Sequence, residues 1–148
     1  DIFWERRAIA TRYAAVDLIL GMKSDPDEVV RRVVAMRLPV DELIGMISDR
    51  DREVRLSVAA RLPEPQLVRL VNDPDYLIGA DDEPEVRAIV AERALPGLAA
   101  AMLQDSEWWV RLAAVGNAPV EFLRPLTSDP EIEVREAAQA RLAESDTA

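Results

Sequence analysis

Apolar residues recur along this chain in a short, regular pattern. In the clearest segment, Val30, Val34 and Leu38 follow one another at intervals of four residues, and Pro39 comes directly after them. Intervals of four place side chains on one face of an α-helix, and the residue before a proline avoids the helical region. The pattern therefore predicts an amphipathic α-helix that ends at Leu38.

A shorter apolar pair follows each helix. Leu43 and Met46 are three residues apart, and Leu67 and Leu70 repeat that interval one unit later. An interval of three over so short a segment favours a 3₁₀-helix or a frayed helical turn. No segment alternates apolar and polar residues convincingly, and the Asn-Gly and Asp-Gly hairpin signals are missing. We therefore predict an all-α chain without a β-sheet.

The helix and its turn recur with a fixed period. The segment Asp25–Ser48 (DPDEVVRRVVAMRLPVDELIGMIS) aligns without a gap to Asp49–Asn72 (DRDREVRLSVAARLPEPQLVRLVN). Units start near residues 1, 25, 49, 81, 105 and 129, so every step is 24 residues except one of 32, which contains an eight-residue insertion at 73–80. Stacked repeats share one continuous core. We therefore predict a single repeat array over residues 1–148.

Most units open with an acidic segment such as Asp25–Pro26–Asp27. The opening Asp predicts a helix N-cap, with the proline in the first helical position. Paired acids could also suggest a cation site or catalytic carboxylates. They recur as a repeat feature, however, and lack the spacing and glycine of a calcium-binding loop. Helix capping is the favoured interpretation.

Three parts of the repeat together resemble the leucine-rich repeat variant family: the 24-residue period, the D-P-D-x-x-V-R-x-x-V-A helix and the L-P-x-x-x-L-x-x-L return. The resemblance implies a right-handed solenoid that alternates α-helices with 3₁₀-helices. Some members of the family carry a Cys-rich segment that binds an iron–sulfur cluster ahead of the repeats. This chain has no Cys, so we expect no cofactor in it. Because it opens with Asp1 inside a repeat-like pattern, we expect it to be a fragment.

Charge and composition exclude several kinds of chemistry. The 148 residues include 28 acidic and 18 basic ones and no His, which gives a net charge of −10. So acidic a chain repels phosphate backbones, and no nucleic-acid partner is expected. Without Cys or His there is no thiolate nucleophile, no imidazole and no ordinary zinc site. No apolar run is long enough to cross a membrane, and we expect a cytoplasmic protein.

One Arg follows the buried Val of each helix and forms a column through the repeats. A column of guanidinium groups could bind a phosphate or carboxylate ligand. The repeat supplies acids at matching intervals, however, so a structural ladder of Arg–Asp pairs is favoured. The predicted ladder consists of Arg31, Arg55, Arg87, Arg111 and Arg135. A second set near the helix C-terminal ends, interpreted as solvated helix-end caps that suit the helix dipole, consists of Arg37, Arg61, Arg93 and Arg141.

Two features depart from the repeat template and carry aromatic side chains, which dominate many protein interfaces. One is an adjacent Trp pair, whose members point about 100° apart on a helix, so that at least one is exposed. The other is the insertion at 73–80. In each case the alternative is packing against a neighbouring repeat. The candidate protein-binding residues are Tyr76, Leu77, Ile78, Trp108 and Trp109.

The sequence therefore predicts a non-enzymatic protein-interaction scaffold. We assign no catalytic, cofactor-binding or metal-binding residues, and we expect the partner to be another protein. One alternative is the repeat portion of an iron–sulfur accessory protein whose Cys-rich segment lies outside this chain. Another is a HEAT-like ligand-binding or lyase module, for which the chain offers only carboxylates, Tyr13 and Tyr76.

Overall fold

The computed structural model describes residues 3–63, 66 and 83–148, and these ranges form helices and no strand. The chain divides into two compact units, Asp1–Pro63 and Glu64–Ala148. The first contains α1 (Trp4–Tyr13), α2 (Val16–Leu20), α3 (Glu28–Arg37) and α4 (Arg52–Arg61), with a 3₁₀-helix over Val40–Met46. The second contains α5 (Pro84–Arg93), α6 (Pro96–Met102), α7 (Trp108–Asn117) and α8 (Ile132–Asp146), with 3₁₀-helices over Val120–Phe122 and Arg124–Ser128. The predicted all-α, helical-repeat class is confirmed.

Helix α3 shows how the template forms a helix. The Asp27 side chain accepts hydrogen bonds from the backbone N–H groups of Val29 and Val30, at 2.9 and 3.4 Å. These bonds satisfy donors that the first helical turn leaves open. Val30 and Val34 are both fully buried, because an interval of four residues keeps them on one face. The helix ends where the ψ angle of Leu38 reaches 144°, before the proline.

In α3 and α4 the N-cap is the second acid of the unit, so the prediction that the opening Asp caps the helix was wrong. Asp27 and Asp51 hold the N-cap positions of α3 and α4. The opening Asp instead fixes the turn before the helix, since the Asp25 carboxylate accepts a hydrogen bond of 2.9 Å from the backbone N–H of Asp27. Pro26 therefore precedes the cap. The same bond recurs in the pairs Asp49–Asp51, Asp105–Glu107 and Asp129–Glu131.

The second element of the repeat varies between units. It is a 3₁₀-helix over Val40–Met46, as predicted, but an α-helix in α2 and α6. In α6, Pro96 occupies the first turn and three consecutive alanines follow at 99–101. Proline suits the first turn of a helix and alanine has the highest helix propensity, so this segment favours the α form. Val40–Met46 contains no alanine and has the β-branched residues Val40 and Ile44, which favour the α form less.

Helix α8 has 15 residues, whereas α1, α3, α4, α5 and α7 have ten each. Ala143 stands where the template has Pro39, so no proline ends the helix. The helix continues to Asp146 and exposes polar residues along its last turns.

Helices of successive repeats pack on one another within each unit. Helix α3 contacts α1 on one side and α4 on the other, and α7 lies in the same way between α5 and α8. The fully buried large side chains come from repeated template positions. They are Ile19, Val30, Val34, Leu38, Leu43, Val54, Val58 and Leu62 in the first unit, and Val86, Val90, Val110, Leu123 and Val134 in the second. Among the described residues, no helix is long and apolar enough to span a membrane.

Candidate functional site

The Arg column of the first unit bonds to the opening Asp of the following repeat. Nε and Nη2 of Arg31 donate to the two carboxylate oxygens of Asp49, at 2.9 and 3.2 Å. Nη1 of the same side chain donates to the backbone carbonyls of Asp25 and Pro26, at 2.8 and 3.2 Å. Arg7 makes the same two-pronged pair with Asp25, at 2.9 and 3.2 Å. The Arg31 guanidinium thus joins the start of its own repeat to the start of the next.

The second unit repeats this geometry. Arg111 donates to the two oxygens of Asp129 at 2.8 and 2.9 Å, and Arg87 makes the same pair with Asp105 at 2.8 and 3.0 Å. The bonds of Arg135 go instead to the backbone carbonyls of Asp129 and Pro130, at 2.6 and 2.9 Å. In the first unit, Nη1 of Arg55 bonds to the Asp49 carbonyl at 2.9 Å. Its template partner, Asp73, lies outside the described residues.

The pKa shifts within the column are those expected of Arg and Asp side chains that pair with each other. The hydrogen bond from Arg111 lowers the pKa of Asp129, although burial acts in the opposite direction. The hydrogen bond to Asp49 raises the pKa of Arg31. Both side chains of the Arg31–Asp49 pair are buried, so a phosphate would have to displace a carboxylate from the guanidinium. This arrangement favours a structural role over ligand binding.

Arg37, Arg61 and Arg141 of the second Arg set are bonded to backbone carbonyls of the preceding repeat, so the interpretation of these three side chains as solvated caps of their own helices was wrong. Arg61 donates to the carbonyl of Leu38 at 2.8 Å and to that of Ala35. Both acceptors lie at the end of the preceding helix, where the last carbonyls have no partner within the helix. The same arrangement joins Arg37 to Thr11 and Ala14, and Arg141 to Val115 and Ala118.

Asn117 takes the place of this Arg in α7. Its Nδ2 donates to the carbonyls of Ala91 and Glu92, at 3.1 and 2.7 Å. A shorter side chain with two N–H donors therefore performs the same bridging between neighbouring helices. The Ala91 carbonyl is the template equivalent of the Ala35 carbonyl that Arg61 reaches, whereas the second acceptor, Glu92, differs from the equivalent of Leu38.

In the described acidic pairs Asp25/Asp27 and Asp49/Asp51, each carboxylate has a structural partner. The carboxylate of Asp51 accepts hydrogen bonds from Arg32, at 2.8 and 2.7 Å, and from the backbone N–H of Val54 at 3.1 Å. The bond from Arg32 lowers the pKa of Asp51. In the part of the chain that the structure describes, no group of three or more acidic residues is placed to hold a metal ion.

Trp108 and Trp109 occupy the first turn of α7, and both are partly exposed, at 37% and 39%. The indole N–H of Trp109 donates to the Glu107 carboxylate at 3.2 Å. This bond orients one ring, while the apolar parts of both rings remain accessible. The other candidate residues, Tyr76, Leu77 and Ile78, lie outside the described residues.

Ile132 belongs to the same surface and was missed by the sequence analysis. It occupies the first position of α8, as Trp108 does in α7, and it is exposed. The interval of 24 residues between them is the repeat period, and α7 packs against α8. Equivalent positions on stacked helices form a column. We call Trp108, Trp109 and Ile132 the tryptophan edge.

Comparison with known proteins identifies the family to which these repeats belong. The family model of the leucine rich repeat variant matches residues 52–75 and 108–131. The chain is also 40% identical to a solved structure described as a leucine-rich repeat variant with a novel repetitive protein structural motif. That match covers 96% of this chain and 78% of the other, with a TM-score of 0.45. The chain belongs to the leucine-rich repeat variant family.

No curated protein matches the sequence of this leucine-rich repeat variant chain. The family assignment explains the shared template, namely the α-helix, the proline stop and the short second helix. It leaves the tryptophan edge unexplained, because neighbouring units have Pro84 and Arg52 where Trp108 and Ile132 stand. Trp4 holds the same position in the first repeat, so the departure from the template is the adjacent Trp pair followed by Ile132 rather than the position itself.

Proposed function

We propose that this chain is a non-enzymatic module that binds another protein through the tryptophan edge. The observation that supports this proposal is the exposure of two adjacent Trp side chains in the first turn of α7. Ile132, which is also exposed, begins the neighbouring helix α8. Trp is enriched among the residues that contribute most binding energy in protein interfaces. Exposed apolar side chains that are grouped mark an interaction site more often than scattered ones do.

The bonding of the polar residues supports the non-enzymatic part of the proposal. The sequence has no His and no Cys, so carboxylates are the main candidates for acid–base chemistry. Asp25 and Asp129 accept hydrogen bonds from Arg and from backbone N–H groups, and the pKa of each carboxyl is lowered. A carboxylate held in this way is kept ionised and is a poor general acid or base near neutral pH.

The partner is expected to be a protein rather than a nucleic acid. The net charge of −10 opposes phosphate backbones, and the Arg residues of the described ladder pairs are already matched by carboxylates. An aromatic edge beside helix N-termini offers an apolar centre with polar surroundings, as protein interfaces do. No cofactor is needed for this role.

Quantitative affinity purification with a matched variant tests the proposal. The double variant Trp108→Ser/Trp109→Ser is compared with the wild-type chain and with Phe122→Ser, which removes another exposed aromatic of the same unit. We expect a defined set of proteins to bind the wild-type chain and the Phe122 variant but not the double variant. Circular dichroism confirms that all three are folded.

Direct titration of a recovered protein then decides the outcome. The double variant should bind the recovered protein at least about tenfold more weakly than the wild-type chain does, as expected when a central aromatic residue is removed from an interface. Equal binding by the wild-type chain and the double variant would contradict the proposal. Equal weakening by Phe122→Ser would show nonspecific apolar association instead.

A further inference from the structure

The two units of the chain differ in net charge. Asp1–Pro63 contains 11 acidic and 11 basic residues, whereas Glu64–Ala148 contains 17 acidic and 7 basic residues. The whole net charge of −10 therefore belongs to the second unit, which carries the tryptophan edge. Opposite charges on two surfaces speed and orient their association. The acidic groups around the edge consequently bear on what binds there.

In the first unit, the carboxylates at the start of α4 are paired with Arg side chains of the chain itself. Asp51, the N-cap, accepts hydrogen bonds from Arg32 at 2.8 and 2.7 Å and a third from the backbone N–H of Val54. Glu53 pairs with Arg52 at 3.2 Å. Both acids of this helix start are thus matched by a cation.

The start of α8 keeps these two carboxylates but lacks both cations. Glu131 and Glu133 hold the two acidic positions, while Leu112 and Ile132 hold the positions of the two Arg residues. Glu131 makes no side-chain cap bond to the helix. In the part of the chain that the structure describes, the side chains of Glu131 and Glu133 form no hydrogen bond or salt bridge. Their charges remain available to a cation from outside the chain.

Glu107, the N-cap of α7, shows the same loss of its cation. In the first unit the Arg lies 19 residues before its acid, and the residue 19 positions before Glu107 is Ala88. The Glu107 carboxylate instead accepts the indole N–H of Trp109 at 3.2 Å. A neutral indole leaves the carboxylate charge uncompensated. The Trp109 ring is therefore held beside a negative charge.

Positive groups near the edge are fewer than the acids. Arg111 is matched by Asp129, and Arg135 donates to two backbone carbonyls. Each helix N-terminus adds roughly half a positive charge. The carboxylates near the starts of α7 and α8 outnumber these charges, and they are Glu107, Glu131, Glu133 and Glu136.

An aromatic surface bordered by carboxylates favours a particular side chain in its partner. A guanidinium group is planar, so it stacks on a Trp ring and offers paired N–H donors to a carboxylate. Helix α7 has a packed neighbour on each side, α5 and α8, and its Trp pair is nevertheless exposed. Two copies that met edge to edge would bring carboxylate against carboxylate, which is unfavourable.

We propose that the tryptophan edge binds an arginine-bearing segment of another protein. A guanidinium of that segment stacks on an exposed Trp ring and pairs with the Glu carboxylates at the starts of α7 and α8. The partner thereby supplies the cations that the first unit draws from its own repeats. This inference rests on the proposed function and adds to it the chemistry of the partner's contact surface.

Fluorescence anisotropy with the full chain and three labelled peptides tests the inference. The peptides have Leu at alternate positions and Arg, Lys or Glu at the others. A length of about 12 residues lets an extended peptide cross three packed helices. We expect saturable binding of the Arg peptide with a Kd tighter than about 1 mM. The Lys peptide should bind more weakly, since it lacks the planar fork, and the Glu peptide should not bind.

Charge-matched variants locate the site. Glu131→Gln/Glu133→Gln removes two charges at the edge and should weaken binding of the Arg peptide by about fivefold or more. Glu121→Gln/Glu144→Gln is the control, because it removes the same charge from exposed positions beyond the far end of α7 and near that of α8. Screening by salt should keep its effect below about twofold.

Leu112→Arg restores the missing cation without touching the edge. The new guanidinium should pair with Glu131 as Arg32 pairs with Asp51, and so compete with the Arg of the peptide. We expect this variant to weaken binding of the Arg peptide about as much as Glu131→Gln/Glu133→Gln does. Circular dichroism confirms that each variant is folded.

Titration of the protein recovered by affinity purification separates this inference from the proposed function. If Trp108→Ser/Trp109→Ser loses that protein while Glu131→Gln/Glu133→Gln keeps it at full strength, the edge is the binding surface but the inference is overturned. If both variants keep it, the proposed function fails as well. Weakening by both supports the two together.

Three peptide results would also overturn the inference. They are a Kd weaker than about 1 mM for the Arg peptide, equal binding of the Glu peptide, and equal weakening by the control variant. Analytical ultracentrifugation supplies a further check. Self-association of the wild-type chain that Trp108→Ser/Trp109→Ser abolishes would assign the edge to a second copy, contrary to the proposal.

Discussion

The first two repeats lie in one unit and follow one template, yet only some of their equivalent positions have the same solvent exposure. Ile19 and Leu43 are equivalent, and both are fully buried. Ile9 and Val33 are equivalent too, but one is exposed and the other buried. Positions that pack inside a repeat keep their environment, whereas positions that pack between repeats take theirs from the neighbour. The contacts between repeats therefore decide whether a given template position is buried or exposed in each copy.

The largest effect should come from removing a buried leucine of the second repeat. Leu38→Ala leaves a cavity at a fully buried site and should reduce the free energy of unfolding by about 2–5 kcal/mol. Leu18→Ala removes the same atoms from an exposed site of the first repeat and should change it by less than about 0.5 kcal/mol. Urea denaturation measures both. Similar losses in the two variants would show that the first repeat is packed like the second.

The Arg column allows the next comparison. Arg31→Ala leaves the buried Asp49 carboxylate without its guanidinium and should cost about 3 kcal/mol. Arg135→Ala removes hydrogen bonds to two backbone carbonyls and should cost about 1 kcal/mol. Thermal and urea melts of the two variants measure the difference. An Arg135 variant as unstable as the Arg31 variant would mean that the carboxylate pair contributes little.

A smaller loss is expected from the second Arg set. Arg61→Ala leaves the carbonyls of Ala35 and Leu38 without donors, and we expect a cost of about 1–2 kcal/mol. Arg52 is the control, because its pair with Glu53 is solvent-exposed, and Arg52→Ala should cost less than about 0.5 kcal/mol. Coincident urea midpoints for the two variants would restore the interpretation of Arg61 as a solvated side chain.

The smallest effect on folding stability should appear at acidic pH. The hydrogen bond from Arg111 lowers the pKa of Asp129, so the unfolded chain takes up this proton at a higher pH than the folded chain. The contribution to stability is complete above the unfolded pKa of about 4, and it is lost as the pH falls through the lower folded value. Asp129→Asn should be less stable at pH 7 but should lose less stability than the wild-type chain between about pH 5 and pH 3. Parallel stability curves would contradict this linkage.

Much of the fold was predictable because it depends on spacing along the chain. Intervals of four residues and the proline after Leu38 were enough to predict α3 and its end. The N-cap was missed because Asp25 and Asp27 are the same residue type, and only the path of the turn shows which one faces the helix. The length of α8 was missed although the signal, Ala143 in place of proline, was present in the sequence.

The candidate surfaces were less predictable because they depend on stacking. Nothing within a single unit shows that Arg61 reaches the carbonyls of the helix before it, 23 and 26 residues back. Ile132 could have been found by aligning the repeats and asking which apolar residues share a column with Trp108.

Thiol labelling tests most directly whether the neighbouring repeat, rather than the template position, sets exposure. The chain has no Cys, so Ile9→Cys and Val33→Cys each introduce one thiol at equivalent positions of adjacent repeats. Under native conditions we expect the thiol at position 9 to react with a maleimide dye at nearly the rate of the unfolded chain. The thiol at position 33 should react at least about a hundredfold more slowly, since it requires a local opening of a few kcal/mol. Equal native-state rates at the two positions would contradict the account.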